Sequence, residues 1–305
     1  MAQTYPEKME TRRVEIARLK IDPFYDLSFP ADPEQRQKQA QRFTELPLII
    51  VNADYVILFG SDFYRLFRAK KIEAVNVLQA NIPATEALFI NFNFHKALFG
   101  LNLYEKLVFI QRIMPLAPIR EIYRKTGLDI NINPELLEKL ACLCGETFKN
   151  ILIQDKINLK TALRICAAAE KDRPSLVSLF EQVSFTSSQA QQILEMLEEI
   201  CFRDKIPVDA VFEKINLIDL LPLERPQKTI IDALFKLRYP LYTNEEQEWQ
   251  REIKKLNLPP HIKVAHSPFF EHQQIQLHAT LKNIGDLKKI SKHLRESHKK
   301  KNEKD

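Results

Sequence analysis

The stretch PLIIVNADYVILFGSDFYRLFRA, residues 47–69, decides the reading of this chain. Two apolar runs, 48–51 and 55–59, flank the turn residues Asn52, Ala53 and Asp54, which spells a hairpin. Gly60 follows at once, and the next residues have helical spacing with Arg65 and Arg68 on them. Further on come a strand over 74–78 and a helix opening at Pro83 and ending in Asn93-Phe94-His95-Lys96. Another helix starts near 103 and carries Glu105. A glycine set directly between strand and helix lets backbone N–H groups face an anion, and arginines one turn later can neutralise it. This is the outline of a phosphate- or nucleotide-facing site. The plainer account of Arg65 and Arg68 is surface charge beside the apolar stripe Phe63, Leu66 and Phe67.

Gly60 with Arg65, Asn93 with Lys96, and Glu105 on the next helix resemble the motifs of the ParB/sulfiredoxin-like superfamily. The resemblance covers the first third of the chain well and the middle third loosely. It implies a mixed-sheet N-terminal domain whose ligand is a nucleoside triphosphate with magnesium. Gly60 would supply backbone approach, Arg65, Arg68 and Lys96 charge, and Asn93 an orienting hydrogen bond. Glu105 either positions a metal-bound water or answers the dipole of its own helix. The chain departs from the pattern where the family places two adjacent arginines, since Asp62 and Phe63 stand there. Lys96 replaces an arginine and lacks the two-pronged fork suited to phosphate. Sulfiredoxin chemistry needs a cysteine beside the glycine turn, and the first cysteine is Cys142.

The 305 residues suffice for two or three domains. Five glycines and seventeen prolines argue for helices with short connections. No long apolar run or N-terminal signal core is present, so a cytoplasmic protein without a membrane span is expected. Cys142, Cys144, Cys166 and Cys201 read as small buried thiols, and the seven histidines lack ligand spacing, so no metal site is expected. The net charge of +5 is uneven. Residues 286–305 hold eight Lys/Arg against four acids, and Lys299, Lys300 and Lys301 form a run suited to DNA phosphates or to solubility alone.

An α+β fold is expected, in three parts. Residues 1–100 form the ParB/sulfiredoxin-like domain, with an added strand over 13–21 and a helix opening at Asp32-Pro33. Residues 101–240 are helical. Two short helices there, 118–126 and 134–143, are spaced like a helix-turn-helix, although the second offers Glu135 and Glu138 where a DNA reader presents cations or amides. Residues 241–305 make a strand–strand–helix unit with a basic tail. In it a helix starts at Thr243, strands run over 262–265 and 274–281, and a last helix spans 285–298. Such a unit suits a homodimer.

The function expected from all this is a ParB-like nucleic-acid-binding protein serving DNA partitioning, plasmid maintenance or regulation, with a CTP-like pocket in its N-terminal domain. A nucleotide hydrolase or nuclease of the same superfamily is one alternative, and an inactive protein-binding scaffold is another. Replacement of two phosphate donors by Asp62 and Phe63 weighs against more than weak triphosphatase activity.

Overall fold

The computed structural model describes residues 10–43, 49–258, 262–270, 274–280 and 285. The fold is α+β and divides into two compact units, Met1–Lys228 and Thr229–Asp305.

The first unit opens with β1 (Glu10–Glu15) and β2 (Lys20–Ile21), then α1 (Pro33–Gln41), β3 (Ile50–Val51) and β4 (Val56–Phe59). Next come α2 (Ser61–Ala69), β5 (Ala74–Gln79) and α3 (Ala84–Leu98). The strands form one mixed sheet in the order β1-β5-β3-β4-β2. β3 runs parallel to β5 and antiparallel to β4, while β2 joins β4 in parallel. The single strand expected over 13–21 is therefore two. Ile16 donates its N–H to Glu73 O, Leu19 donates to Ile16 O, and this short 3-10 turn carries the chain from one edge of the sheet to the other. The hairpin turn is held by Asn52, whose side-chain oxygen accepts the N–H groups of Asp54 at 3.0 Å and Val56 at 2.9 Å. Tyr55 completes it in the left-handed region at φ 60°.

β1 and β5 alternate and turn Val14, Val75 and Val77 inward. β3 and β4 are buried on both faces through Ile50, Val51, Ile57, Leu58 and Phe59, and Phe63, Leu66 and Phe67 of α2 join the same core. Asp32 caps α1 by accepting from Glu34 N and Gln35 N, with Pro33 at the first helical position.

The helical remainder of the unit comprises α4 (Leu103–Ile113), α5 (Ile119–Thr126), α6 (Pro134–Leu143) and α7 (Glu146–Ile153). These lead to α8 (Leu159–Ala167), α9 (Arg173–Gln182), α10 (Ser187–Asp204), α11 (Val208–Lys214) and α12 (Leu217–Leu220). α3 joins this array to the sheet through tilted ring pairs, Phe92 with Phe109 of α4 at 4.2 Å and Phe94 with Phe59 of β4 at 4.9 Å between centroids. Cys166 is buried, and burial pushes its thiol and that of Cys144 up to about 12.

α13 (Pro226–Arg238) leads into the second unit, which holds α14 (Pro240–Lys255), β6 (Ile262–His266) and β7 (Ile275–Ala279), the two strands antiparallel. α14 begins at Pro240 rather than at Thr243. A proline at the first helical position loses no hydrogen bond, and the Thr243 hydroxyl donates to Tyr239 O at 2.9 Å instead of capping. The helix expected over 285–298 lies outside the described residues, apart from Gly285. Among the described residues no helix is long and apolar enough to cross a membrane.

Candidate functional site

Gly60 ends β4 and caps α2 with φ 101° and ψ 23°, a conformation that an L side chain adopts only under strain. The N–H end of α2 therefore opens directly off the sheet. It faces the loop between β2 and α1, which is shaped by its own side chains. Asp22 accepts from Phe24 N at 2.9 Å, and the Asn91 amide donates to Tyr25 O and, at 2.9 Å, to Leu58 O.

That loop delivers a carboxylate to the helix. Asp26 Oδ1 accepts from Ser61 Oγ at 2.8 Å and from Ser28 N at 3.2 Å, and both oxygens receive the Arg65 guanidinium. Arg112, on α4, donates to the Asp26 carbonyl at 2.7 Å. A hydroxyl, a backbone N–H and a guanidinium converging at a helix N-terminus make a seat for an anion. Here the anion is the protein's own. The space beside it, lined by Asp22, Tyr25, Asp26, Ser61 and Asn91, is too tight for a water molecule.

Behind the seat lies a buried polar chain. Ser28 Oγ donates to Asp62 Oδ1 at 2.5 Å, and Asp62 Oδ2 stands 3.8 Å from His95 Nδ1. Arg36 pairs with Glu105 at 3.0 Å, and its guanidinium lies over the Phe99 ring, 4.7 Å from the centroid. Glu105 also accepts from Phe29 N at 2.9 Å and Asn102 N at 3.1 Å, the second bond closing a capping box on α4. Arg36 Nη1, Asp62 Oδ2, Asn91 Oδ1 and His95 Nδ1 have no hydrogen-bond partner among the described residues. Burial sets the charges. It pushes the Glu105 carboxyl up to about 7 against the pull of Arg36. It also holds the His95 imidazole down to about 4 despite Asp62, so His95 is neutral at physiological pH.

Among the residues expected from sequence, Gly60 and Arg65 meet at the seat, and Glu105 closes the far end of the polar chain. Arg68 lies toward the other end of α2 and lines a separate cleft with Tyr64, Lys71 and Glu73. Asn93 and Lys96 turn toward α5. The Asn93 amide donates to Lys125 O at 3.1 Å, and Lys96 Nζ donates to Thr126 O at 3.0 Å and Gly127 O at 3.1 Å. They satisfy the orphan carbonyls at that helix's end. Lys299, Lys300 and Lys301 lie outside the described residues. The side chains that sequence reasoning missed are Asp26, Ser28, Arg36, Ser61, Asn91, His95 and Arg112. Only the pair Asn91 and His95 left a signal, one helical turn apart beside the buried Leu88 and Phe92.

The seat holds the Asp26 carboxylate, and the space beside it admits no further group. Magnesium does not fit the residues present, because among the described residues no three His, Cys, Asp or Glu side chains converge, and the Asp26 and Glu105 carboxylates are held by the donors named above. In the helical array, α6 exposes Glu135 and Glu138, and Lys139 is tied to Glu135 at 3.1 Å.

No protein-family profile matches the chain, and no curated protein matches it. Among solved structures it is similar to a pNOB8-like ParB N-domain at 16% identity, over 75% of this chain and 98% of that one, with a TM-score of 0.39. It is also similar to the C-terminally truncated chromosome-partitioning protein ParB of Caulobacter crescentus. The complex of that protein with the parS site matches at 15% identity, over 60% and 98% of the two chains, with a TM-score of 0.35. Its complex with CTP-γ-S matches at 18%, over 56% and 99%, with a TM-score of 0.26. With every TM-score below 0.5, no residue of the site is carried over from these likenesses, and its reading rests on the geometry above.

Proposed function

We propose that this chain is a nucleic-acid-binding protein of the ParB-like partition type whose N-terminal anion seat is held by Asp26. The observation that carries the nucleic-acid part is charge. Residues 229–305 contain fifteen Lys/Arg against ten Asp/Glu, which is the whole of the chain's +5. A surface with that excess gains affinity for phosphates by releasing their counterions. α6 is not the reading element in this proposal, because its exposed residues are acidic. The seat at α2 supports a phosphate ligand of the CTP type only after Asp26 withdraws, and catalysis there is not part of the proposal. Three parts, 1–100, 101–240 and 241–305, remain the proposed functional division.

A second copy of the chain is the proposed protein partner. β7 pairs with β6 on one side, and its Ile275 and Leu277 are 62% and 46% exposed. An apolar strand edge of this kind is closed by pairing with another strand. Leu277→Lys should convert a dimer into a monomer in sedimentation velocity. An unchanged sedimentation coefficient would place the interface elsewhere.

The reading is tested by measuring full-length protein against duplex DNA and against each of the four ribonucleoside triphosphates, at two salt concentrations. DNA binding that weakens with salt is expected, with triphosphates binding far more weakly. Absence of DNA binding at the lower salt would overturn it in favour of a protein-only scaffold.

A further inference from the structure

The second unit carries an aromatic cluster that neither the anion seat nor the charge argument uses. Its base is Tyr239 and Tyr242, and Phe269 rests on both, with centroids 5.8 and 5.1 Å away. Beside it, His266 stacks flat on Phe270, 3.7 Å apart at an interplanar angle of 12°. His266 is fixed in turn by Glu246 at 2.6 Å and by Ser267 O at 2.6 Å. Trp249 meets His266 edge-on at 5.4 Å.

The backbone here favours presentation over burial. Phe269 and Phe270 are consecutive residues with φ 52° and 56°, in the left-handed region that non-glycine residues avoid. If the rings only filled a small core, that strain would serve to hide them. Instead Phe269 remains 53% exposed. The ring meets the two tyrosines at interplanar angles of 62° and 52°, so they brace it while about half of the residue stays open to solvent. One cation adjoins the cluster, the Arg238 guanidinium lying 4.8 Å from the Tyr239 centroid.

We propose that this cluster is a stacking platform for unpaired bases, so that the second unit binds single-stranded nucleic acid. A preset, half-exposed ring accepts any base by stacking, whereas a duplex keeps its bases paired and withholds them. The unit's net positive charge suits the backbone phosphates. This site goes beyond the reading of duplex binding by charge and does not depend on the α2 seat.

Trp249 is the chain's only tryptophan, so its fluorescence reports on the platform directly. The experiment titrates full-length protein with a thymidine 12-mer and with an abasic deoxyribose 12-mer of equal charge. The thymidine strand should change Trp249 emission and bind about tenfold more tightly than the abasic one. Phe269→Leu keeps apolar volume over the two tyrosines and removes the π face. It should cost the thymidine strand about tenfold and leave the abasic strand unaffected. Equal binding of the two strands by the unmodified protein would overturn the platform whether or not the variant folds. So would full affinity for thymidine in a Phe269→Leu protein of unchanged circular dichroism.

Discussion

The two units treat charge in opposite ways. The first holds thirty Lys/Arg and thirty Asp/Glu, and two of its cations are tied to carboxylates at the site: the half-exposed Arg65 to Asp26, and the buried Arg36 to Glu105. The second holds all of the excess positive charge and buries no charged side chain among its described residues. An anion reaching the seat at α2 must displace the Asp26 carboxylate, while one reaching the excess lysines of the second unit displaces mainly counterions. Motif residues alone therefore do not tell where a chain takes up phosphate. The occupancy of those residues does.

The hardest way to break the comparison is to leave an interior charge alone. Arg36→Met strands Glu105, which is fully buried, and should lower stability by about 3–5 kcal/mol. Urea unfolding reads the loss, and adding Glu105→Leu should recover most of it. A loss below about 1 kcal/mol in the single variant would mean that water reaches the pair.

A smaller effect separates the two titrating groups. Glu105 is raised from 4.5 to about 7, so the stability it confers is present at low pH and lost as pH rises through about 7. His95 is lowered from 6.5 to about 4, so its share is present above 6.5 and lost as pH falls toward 4. The two slopes oppose each other in the wild type. His95→Gln should expose a stability that falls as pH rises from 4.5 to 7, and Glu105→Gln one that falls as pH drops from 6.5 to 4. Each slope amounts to about 3 kcal/mol. Parallel pH–stability curves for the three proteins would show that neither group is perturbed.

The outer charge gives the mildest test. A chain ending before Lys299 lacks Lys299, Lys300, Lys301 and Lys304. The slope of log affinity for duplex DNA against log salt should shrink by about 0.9 for each phosphate left without its lysine. An unaltered slope would move the DNA surface away from these lysines.

Much of the fold was legible because its periods are clean. The runs before Gly60 are continuously apolar and bounded by turn residues, and α4, α6, α8 and α10 begin at Asn or Thr caps and carry apolar faces. The break at Ile16 was not legible, since Val14, Ile16, Leu19 and Ile21 read as one strand until the hydrogen bond to Glu73 is seen. The inward face of α3 was equally obscure. Phe89, Ile90, Phe92 and Phe94 spread apolar groups around the helix, so the spacing of Asn91 and His95 beside Leu88 and Phe92 was the one faint sign of an inner face, and nothing marked Asn93 and Lys96 as outer. Asp26 and Ser28 sit in a loop, where no period exists to place them.

The central claim is that Asp26 occupies the seat a phosphate would take. Asp26→Asn is the direct probe, because an amide still accepts from Ser61 and Ser28 while releasing Arg65 from its counter-charge. Calorimetric titration of wild type and Asp26→Asn with CTP and with inorganic tripolyphosphate makes the comparison. The account predicts at least about a tenfold gain in affinity in the variant, the scale of one charged hydrogen bond, and loss of that gain when Arg65→Ala is added. Equal affinity in wild type and Asp26→Asn, or a gain that survives Arg65→Ala, would contradict it.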